Sequence, residues 1–272
     1  MKREVLVPPK TVVAAVSLRA EDDSLLQSCL QLITDRQGHR THLVHVMSEL
    51  ADDREEPVLR DRLQRHVMAL GMAHGQVTAE LLRGDPTDEI LAAAEDIDAD
   101  VIVAASRGRG AVARVLLGSV TSQLIRRSEI PVLVMKDRAP LRKLRTVVAA
   151  VDLSPVSDRV VRSAQRLDPM ALTVSVLDIP VVLQADLHIN VMTPDDRLQL
   201  LARLHDRLHA RFGPHVEVME GMVGPALESY AAERDVDLLV LGTSGHNARE
   251  RAILGSTATH VISHAPCPVW VV

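Results

Sequence analysis

The hexapeptide TVVAAV at residues 11–16 occurs again, residue for residue, at residues 146–151. Six identical residues recurring after 135 positions indicate a duplicated unit, because a chance second hydrophobic strand would rarely preserve every residue. A second pair of segments supports the duplication: DVIVAA at 100–105 corresponds to DLLVLG at 237–242, with an offset of 137 residues. A repeat this long indicates two whole domains, since solenoid repeats are only about 20–50 residues long.

The length and composition agree with two aliphatic domains. A chain of 272 residues accommodates two domains of the common size, about 100–150 residues each. Hydrophobic residues make up 47% of the chain and aromatic residues only 1%, so both cores must be built from aliphatic side chains. We place the domains at residues 1–138 and 143–272, and we interpret the basic stretch 136–145 between them as a solvated linker.

Each half alternates short aliphatic runs with longer amphipathic stretches, a pattern typical of an α/β fold. Several runs are apolar throughout, as expected for strands covered on both faces, and the intervals are long enough for helical crossovers. The pattern predicts two tandem doubly wound, Rossmann-like domains, each with a five-stranded parallel sheet and helices on both faces. The predicted strands are 11–16, 41–47, 76–81, 100–105 and 131–135, then 146–151, 171–177, 215–219, 237–242 and 268–272.

One helix of the second half has clear signals at both ends. Thr193 offers an N-cap and Pro194 a first-turn proline, while Gly213-Pro214 predicts the end of the helix. Between these ends, four apolar residues at helical spacing form one stripe: Leu201, Leu204, Leu208 and Phe212. The preceding segment, 178–192, has no clear pattern, and we interpret it as a loop over the mouth of the second sheet.

The last predicted strand of each half begins at a proline, Pro131 or Pro268. Proline is tolerated at the first position of a strand, where its missing N–H is not needed. An aliphatic edge strand left exposed would promote aggregation, because its backbone groups can pair with another chain. We therefore predict an intramolecular pseudo-dimer in which Val132–Val134 faces Val269–Val271, and a further homodimer stays open.

Charge, cysteine content and apolar runs bear on the class of protein. The net charge of −5 gives no overall electrostatic footprint for nucleic acid. Cys29 and Cys267 are the only cysteines; they form no disulfide framework and are predicted to be small buried apolar residues. The first residues lack the apolar region of a signal peptide, and no apolar run is long enough to span a bilayer. We expect a cytoplasmic protein with neither a nucleic-acid nor a membrane partner.

A glycine-containing loop in the second half is the strongest candidate for ligand binding. Gly242 ends a predicted strand, Gly245 follows it, and Gly255-Ser256 opens a predicted helix over residues 256–264. Glycine lets the backbone approach a ligand closely, and a helix N-terminus presents unpaired N–H groups and the positive end of the helix dipole. These residues predict a phosphate-binding loop.

The carboxylate of Asp152 is the second element of this candidate site. Asp152 directly follows the first strand of the second half. In a doubly wound sheet, ligands bind outside the carboxyl ends of the strands where the strand order reverses, so Asp152 and the glycine loop should meet there. A carboxylate suits the hydroxyls of a ribose or the polar edge of a base. The alternative is that Asp152 only caps the following helix.

These residues resemble the universal stress protein family, whose nucleotide-binding members carry an Asp after the first strand and the pattern Gly-x2-Gly-x9-Gly-Ser/Thr after the fourth. The second half matches at Asp152, Gly242, Gly245 and Gly255-Ser256, and the similarity extends over essentially the whole chain. The resemblance is to the tandem form of the family. It implies the strand order 3-2-1-4-5 in each half, ATP as the usual ligand, with or without Mg²⁺, and a role in stress response or growth control.

The same resemblance implies further contacts for an adenine nucleotide. The backbone around Val151 and Val176 would border the adenine, and Thr257 would add a donor at the phosphates. Ala258 stands where many relatives have Ser or Thr, so one phosphate contact from a hydroxyl is expected to be missing.

The first half departs from the family pattern at the nucleoside end of its site. Ser17 occupies the position of Asp152 and cannot supply a charged acceptor. Ala105 occupies the position of Gly242, where it adds a methyl group and disfavours any positive φ that the ligand would need. Four residues of the phosphate end remain: Gly108, Gly118, Ser119 and Thr121. We favour a weak or empty degenerate site over a working one.

Other functional constellations are weaker. No P-loop and no nucleophile elbow is present in the sequence, and no catalytic residue or metal site is assigned. His205 and His209 lie four residues apart but have no evident third metal ligand, and His246 and His260, near the glycine loop, could contact phosphate or be structural. We expect a regulatory ATP-binding protein rather than an enzyme. The alternatives are a slow ATP hydrolase or nucleotidyl-transfer enzyme on the same fold, or an interaction protein that binds no nucleotide.

Overall fold

The computed structural model describes residues 9–18, 25, 39–71, 76–106, 117–136, 144–178, 193–243 and 254–272. Within these residues the strands are β1 Thr11–Ala15, β2 Arg40–Met47, β3 Gln76–Arg83, β4 Val101–Ala105, β5 Val132–Met135, β6 Val147–Ala150, β7 Leu172–Leu177, β8 Val216–Glu220, β9 Leu238–Leu241 and β10 Val269–Val271. The helices are α1 Glu56–Gly71, preceded by a 3-10 turn at Asp53–Glu55, α2 Pro86–Asp96, α3 Ser119–Arg127, α4 Ser157–Leu167, α5 Pro194–Phe212, α6 Val223–Glu233 and α7 Ser256–His264. All ten predicted strands are present, and their ends differ from the predicted ones by at most two residues.

The ten strands form one sheet in the order β3-β2-β1-β4-β5-β10-β9-β6-β7-β8. Each half has the order 3-2-1-4-5 with parallel pairing throughout, which confirms the predicted doubly wound α/β fold. In each half the chain leaves the central first strand in one direction and later returns to its other side. The carboxyl edge beside β1 or β6 is therefore a point at which the strand order reverses, where ligands bind in such sheets.

The two halves join through their last strands. β10 pairs with β5 in the antiparallel direction, with Val269 opposite Val134, Trp270 opposite Leu133, and Val271 opposite Val132. All of these side chains are buried. The predicted pseudo-dimer is confirmed, and the pairing removes two edges that would otherwise expose unpaired N–H and C=O groups.

The core consists of two apolar layers, one on each face of the sheet. Successive residues of a strand point to opposite faces, so Val12 and Ala14 join one layer and Val13 joins the other. Each layer contains residues from both halves, because the sheet is continuous across β5 and β10. Burial of aliphatic surface over this continuous sheet supplies the main favourable free energy of folding.

An aspartate before the fourth strand anchors the start of the first strand in both halves. The Thr11 N–H donates to Asp100 Oδ2 at 2.9 Å, and the Thr146 N–H donates to Asp237 Oδ2 at 3.0 Å. The carboxylate thereby satisfies a backbone donor at the edge of the sheet. This shared contact gives a structural reason for the recurrence of Asp at the start of DVIVAA and DLLVLG.

Helix α5 begins and ends where the sequence predicts. Thr193 accepts the Asp196 N–H while the Asp196 carboxylate accepts the Thr193 N–H, a reciprocal capping box. The helix ends at Gly213, whose φ of 89° is disfavoured for residues with a Cβ. Within the stripe, Leu208 is fully buried, and Leu204 and Phe212 pack partly buried against the core.

Two predicted segments lie mostly outside the described residues. Of the linker 136–145, residues 137–143 are outside, and of the loop 178–192, all but Asp178 are outside. Lys136 is partly buried and donates to the Ile262 carbonyl of α7, so the prediction of a solvated linker is wrong at this residue. Among the described residues, no helix combines the length and the apolar character needed to cross a membrane.

Candidate functional site

The candidate site lies at the carboxyl end of β6, the central strand of the second half. β7 and β9 flank this strand, with Val148 of β6 opposite Leu172 on one side and Leu239 on the other. The Val151 N–H donates to the Val174 carbonyl at 2.9 Å, so the parallel pairing continues past the end of β6. Since Val176 lies two residues further along β7, the register brings Asp152 and Val176 to the same edge of the sheet.

Asp152 is exposed at this edge and belongs to a tight turn. Its Oδ1 accepts the Ser154 N–H at 3.0 Å and the Ser157 hydroxyl at 3.2 Å. The N-cap of α4 is Val156, so the alternative in which Asp152 is the N-cap of this helix is wrong. Leu153 has a φ of 62°, a left-handed conformation that is rare for leucine and often found at functional sites.

Arg211, in the last turn of α5, contacts the same turn and was not identified from the sequence. Its Nη1 donates to the Leu153 carbonyl at 3.0 Å, and its Nη2 lies 3.4 Å from the Ser154 carbonyl. The guanidinium also binds Asp158 in a bidentate manner, with Nε to Oδ1 at 3.0 Å and Nη2 to Oδ2 at 2.7 Å. No local spacing signals these contacts, because Arg211 is more than fifty residues from each partner.

The ion pair shifts the pKa values of both members. The hydrogen bonds from Arg211 lower the pKa of Asp158 below its ordinary value, although partial burial opposes the shift. The pKa of Arg211 is raised first by its hydrogen bonds to Asp158 and further by the charges of Asp158 and Asp152. Both groups therefore stay charged at neutral pH.

The glycine loop is closed by backbone hydrogen bonds on the β9 side of Asp152. The Thr243 N–H donates to the Val272 carbonyl at 3.2 Å, and the Gly255 N–H donates to the Thr243 carbonyl at 3.0 Å. Gly255 is the N-cap of α7, so the helix begins beside the end of β9. The first-turn residues are the exposed Ser256 and the half-buried Thr257. Their N–H groups lack intrahelical partners, which makes this helix end suitable for an anion.

The structure brings together most of the predicted residues of the second half. Asp152, Gly242 and Gly255-Ser256 lie around the carboxyl ends of β6 and β9. Val151 directly follows β6, and Val176 lies in the neighbouring β7. Gly245 lies outside the described residues.

The first half repeats the scaffold of this site without its carboxylate. The Ser106 N–H donates to the Met135 carbonyl and the Gly118 N–H to the Ser106 carbonyl, both at 2.8 Å. Gly118 is the N-cap of α3, which begins at the exposed Ser119. Leu18 has a φ of 58° and follows the exposed Ser17, as Leu153 follows Asp152. Gly108 lies outside the described residues.

Thr121 is used inside the protein rather than at the phosphate end. Its hydroxyl is buried and donates to the Ala105 carbonyl at 2.7 Å. A hydroxyl has one hydrogen to donate, so Thr121 cannot also donate to a phosphate in this conformation. Its counterpart Ala258 is also buried, so a hydroxyl there would face the end of β9. The expectation that Ala258 deprives a phosphate of a contact stays a prediction, and the contact of Thr121 argues against it.

The structure also corrects the conformational argument about Ala105. The described glycines with a positive φ are Gly84, Gly213 and Gly221, and Gly242 is not among them. The counterpart position therefore requires no conformation that alanine avoids. Ala105 therefore differs from Gly242 only by its added methyl group, which would lie where the backbone approaches a ligand.

The histidines near the candidate site have structural neighbours. His260 Nε2 lies 3.0 Å from Glu228 Oε2, and its ring packs against Gly224 of α6. The exposed His205 and His209 stack with ring centroids 6.2 Å apart. Among the described residues, no cluster of three or more His, Cys, Asp or Glu side chains could hold a metal ion.

Comparison with known families identifies the repeated domain. The sequence profile of the universal stress protein family matches residues 9–136 and, separately, residues 143–272. The chain belongs to this family. Two matches in succession make it a tandem universal stress protein, as the resemblance of its sequence to this family predicts.

Curated relatives of this tandem universal stress protein match it over different shares of its length. A universal stress protein of Mycobacterium bovis is 30% identical over 205 residues, covering 72% of this chain and 68% of that protein. One of Mycobacterium tuberculosis is 30% identical over 228 residues, covering 76% of this chain and 70% of that protein. A universal stress protein of Methanocaldococcus jannaschii is 43% identical over 58 residues, 21% of this chain, and only 34% of that relative is spanned.

Solved structures support the same fold over the whole chain. A universal stress protein from Archaeoglobus fulgidus superposes with a TM-score of 0.69 at 21% identity, covering 96% of this chain and 97% of that one. A protein of unknown function from Pseudomonas aeruginosa gives a TM-score of 0.72 at 17% identity, covering 98% of this chain and 93% of that one. At these identities the likeness shows the fold alone.

Proposed function

We propose that this tandem universal stress protein is a cytoplasmic ATP-binding regulatory protein of stress response or growth control, with the nucleotide held in its second half. The observation that carries the proposal is that the exposed Asp152 follows β6 and the N-terminus of α7 follows the neighbouring strand β9, at the edge where the strand order reverses. One acceptor and one cluster of backbone donors at a single sheet edge match the two ends of a nucleotide.

Each part of the site has a separate task in this proposal. Asp152 accepts hydrogen bonds from ribose hydroxyls, and the backbone near Val151 and Val176 borders the adenine. The first-turn N–H groups of α7, with the hydroxyls of Ser256 and Thr257, bind the phosphates. The glycines at 242, 245 and 255 keep side chains away from the ligand. Any Mg²⁺ arrives with the phosphates, in keeping with its preference for phosphate oxygens and water.

The two halves differ in what they offer the nucleoside. Ser17 stands where the second half has Asp152, although the loop closures and the left-handed leucine are the same. A hydrogen bond to a charged group contributes about 1.5–3 kcal/mol, which corresponds to roughly ten- to a hundredfold in affinity. We therefore propose one tight site per chain, in the second domain, 143–272, and a degenerate site in the first, 1–138.

Calorimetric titration of the nucleotide-free protein with ATP tests this proposal. We expect one site per chain, and we expect Asp152→Ala to weaken binding by roughly ten- to a hundredfold because a charged acceptor is lost. Ser17→Ala is the matched control, since it changes the corresponding residue of the other half. Two sites of equal affinity, or wild-type affinity in Asp152→Ala, would contradict the asymmetric site.

Two other functions remain as outcomes of measurement. A turnover assay with Mg²⁺ distinguishes a regulator from an ATP hydrolase or nucleotidyl-transfer enzyme, and we expect very slow turnover. Hydrolysis of several ATP per second, abolished by Asp152→Ala, would favour an enzyme. If the purified protein carries no bound nucleotide and also fails to bind added ATP, it is an interaction protein instead.

A further inference from the structure

The peptide group between Leu153 and Ser154 is held at both ends by charged side chains. Its carbonyl accepts from Arg211 Nη1 at 3.0 Å, and its N–H donates to Asp152 Oδ1, also at 3.0 Å. We propose that Arg211 is a positioning residue for the Asp152 carboxylate, acting through this one peptide plane. The consequence for nucleotide affinity rests on the proposed function.

The planarity of the peptide makes this connection rigid. Resonance holds the carbonyl and the N–H of one peptide in a plane and pointing in opposite directions. Fixing the carbonyl of Leu153 therefore also fixes the direction of the Ser154 N–H, to which the Asp152 carboxylate is bound. Hydrogen bonds in such a chain polarise one another, so each strengthens the next.

Arg211 is itself held in a defined orientation. Its guanidinium is fixed against Asp158 by two hydrogen bonds, and the same planar group reaches the Leu153 carbonyl and lies 3.4 Å from that of Ser154. The fork of a guanidinium can make such contacts at once because its donors have fixed directions, which a lysine ammonium lacks. The Asp158 pair thus orients Arg211, and Arg211 orients the turn.

The first half provides an internal comparison. Leu18 has a φ of 58°, close to the 62° of Leu153, so the backbone conformation of the turn is common to both halves. The crossover that corresponds to α5 in the first half contains α1, and the sequence has no arginine at residues 66–75, before the third strand. The half with Ser17 therefore lacks an arginine in this part of the sequence, and the half with Asp152 has one. Both halves have the turn, but only the half with the Asp152 carboxylate also has the arginine.

The direct test measures the Ser154 N–H in the full chain. Amide hydrogen exchange, resolved by NMR, would be compared between the wild type, Arg211→Ala, Arg211→Lys and the control Arg207→Ala, which changes an exposed arginine of the same helix. We expect Arg211→Ala to lower the protection of the Ser154 amide by about tenfold, the effect of losing one hydrogen bond. In Arg211→Lys the protection of the Ser154 amide should lie between that of Arg211→Ala and that of the wild type. In Arg207→Ala it should equal that of the wild type. Amides of β6 and β9 should stay protected in all variants.

Titration with ATP adds a readout that a general loss of stability would not give. Arg211→Ala should weaken ATP binding by about tenfold in the wild-type background and have little further effect in Asp152→Ala, because both act through one carboxylate. Equal losses in both backgrounds would overturn the positioning role. Unchanged Ser154 protection in Arg211→Ala would overturn it as well. If the wild type binds no ATP, the proposed function fails, while the exchange measurement still decides whether Arg211 positions Asp152.

Discussion

Trp270 lies directly opposite Leu133 in the antiparallel pair of β10 and β5, and both side chains are buried. The single tryptophan of the chain is therefore located at the junction of the two halves. Its fluorescence reports on the junction itself, because the environment of the indole depends on the pairing of these strands.

Leu133→Ala should destabilise the whole chain by about 2–5 kcal/mol, the usual cost of removing a buried leucine side chain. Urea unfolding followed by Trp270 fluorescence measures this cost. Leu50→Ala is the matched control, since Leu50 is 96% exposed and its substitution should change stability by less than about 0.5 kcal/mol. An equally small effect of Leu133→Ala would show that the junction contributes little to folding.

Gly224→Ala should also destabilise the protein, although alanine ordinarily favours a helix. A Cβ at this position would lie 2.7 Å from the ring of His260, whose Nε2 is also 3.0 Å from Glu228 Oε2. Forcing a side chain out of a packed position typically costs about 1–3 kcal/mol. Urea unfolding of the wild type and Gly224→Ala shows whether the free energy of unfolding falls, as expected, or rises.

The first half suggests how to relieve this clash. Its corresponding pair is Thr87 and Gln123, whose side chains contact each other at 3.4 Å. The double substitution Gly224→Thr and His260→Gln should therefore be more stable than Gly224→Thr alone. Equal stability of the two variants would mean that the ring of His260 does not limit the side chain at position 224.

The Arg211–Asp158 pair predicts a loss of stability in acid. The folded pKa of Asp158 lies below its ordinary value of 3.8, so the stabilisation is present above 3.8 and disappears as the pH falls through the folded pKa. Asp158→Asn should be less stable than the wild type at pH 6, by up to about 1 kcal/mol because the pair is partly exposed. The difference should vanish as the pH falls below 3.8.

Urea unfolding of the wild type and Asp158→Asn, from pH 6 to below 3.8, measures how the stability difference between them depends on pH. Leu50→Ala, which changes an exposed residue without a titratable group, serves as the control and should show no such pH-dependent difference. A difference between Asp158→Asn and the wild type that persists unchanged in acid would contradict the assigned ion pair.

Cys267 should be unreactive in the folded protein. Burial raises the pKa of its thiol to about 12, and only 4% of the residue is exposed. The thiolate is the nucleophile, so a disulfide reagent at pH 8 should not modify Cys267 until the chain unfolds. A Cys29→Ser variant makes it the single thiol. Rapid labelling without denaturant would show that the region between α7 and β10 opens readily.

The sequence itself determined the features that depend on local pattern. The repeat beginning at residue 11 and residue 146 identified two domains, and aliphatic runs located all ten strands within one or two residues. The ends of α5 were predictable because Thr193 and Gly213 act on the backbone groups next to them. The positions of Asp152 and Gly255 at one sheet edge followed from the strand order that the family resemblance implies.

Only the tertiary structure decided which distant groups meet at that edge. The hydroxyl of Thr121 turns inward to the Ala105 carbonyl, and Arg211 reaches across more than fifty residues to the turn after Asp152. The physical reason is that a side chain binds whatever the packing of helices on the sheet brings within about 3 Å. Sequence periodicity determines which face of a helix is buried, but the loop that its last turn meets depends on helix length and docking.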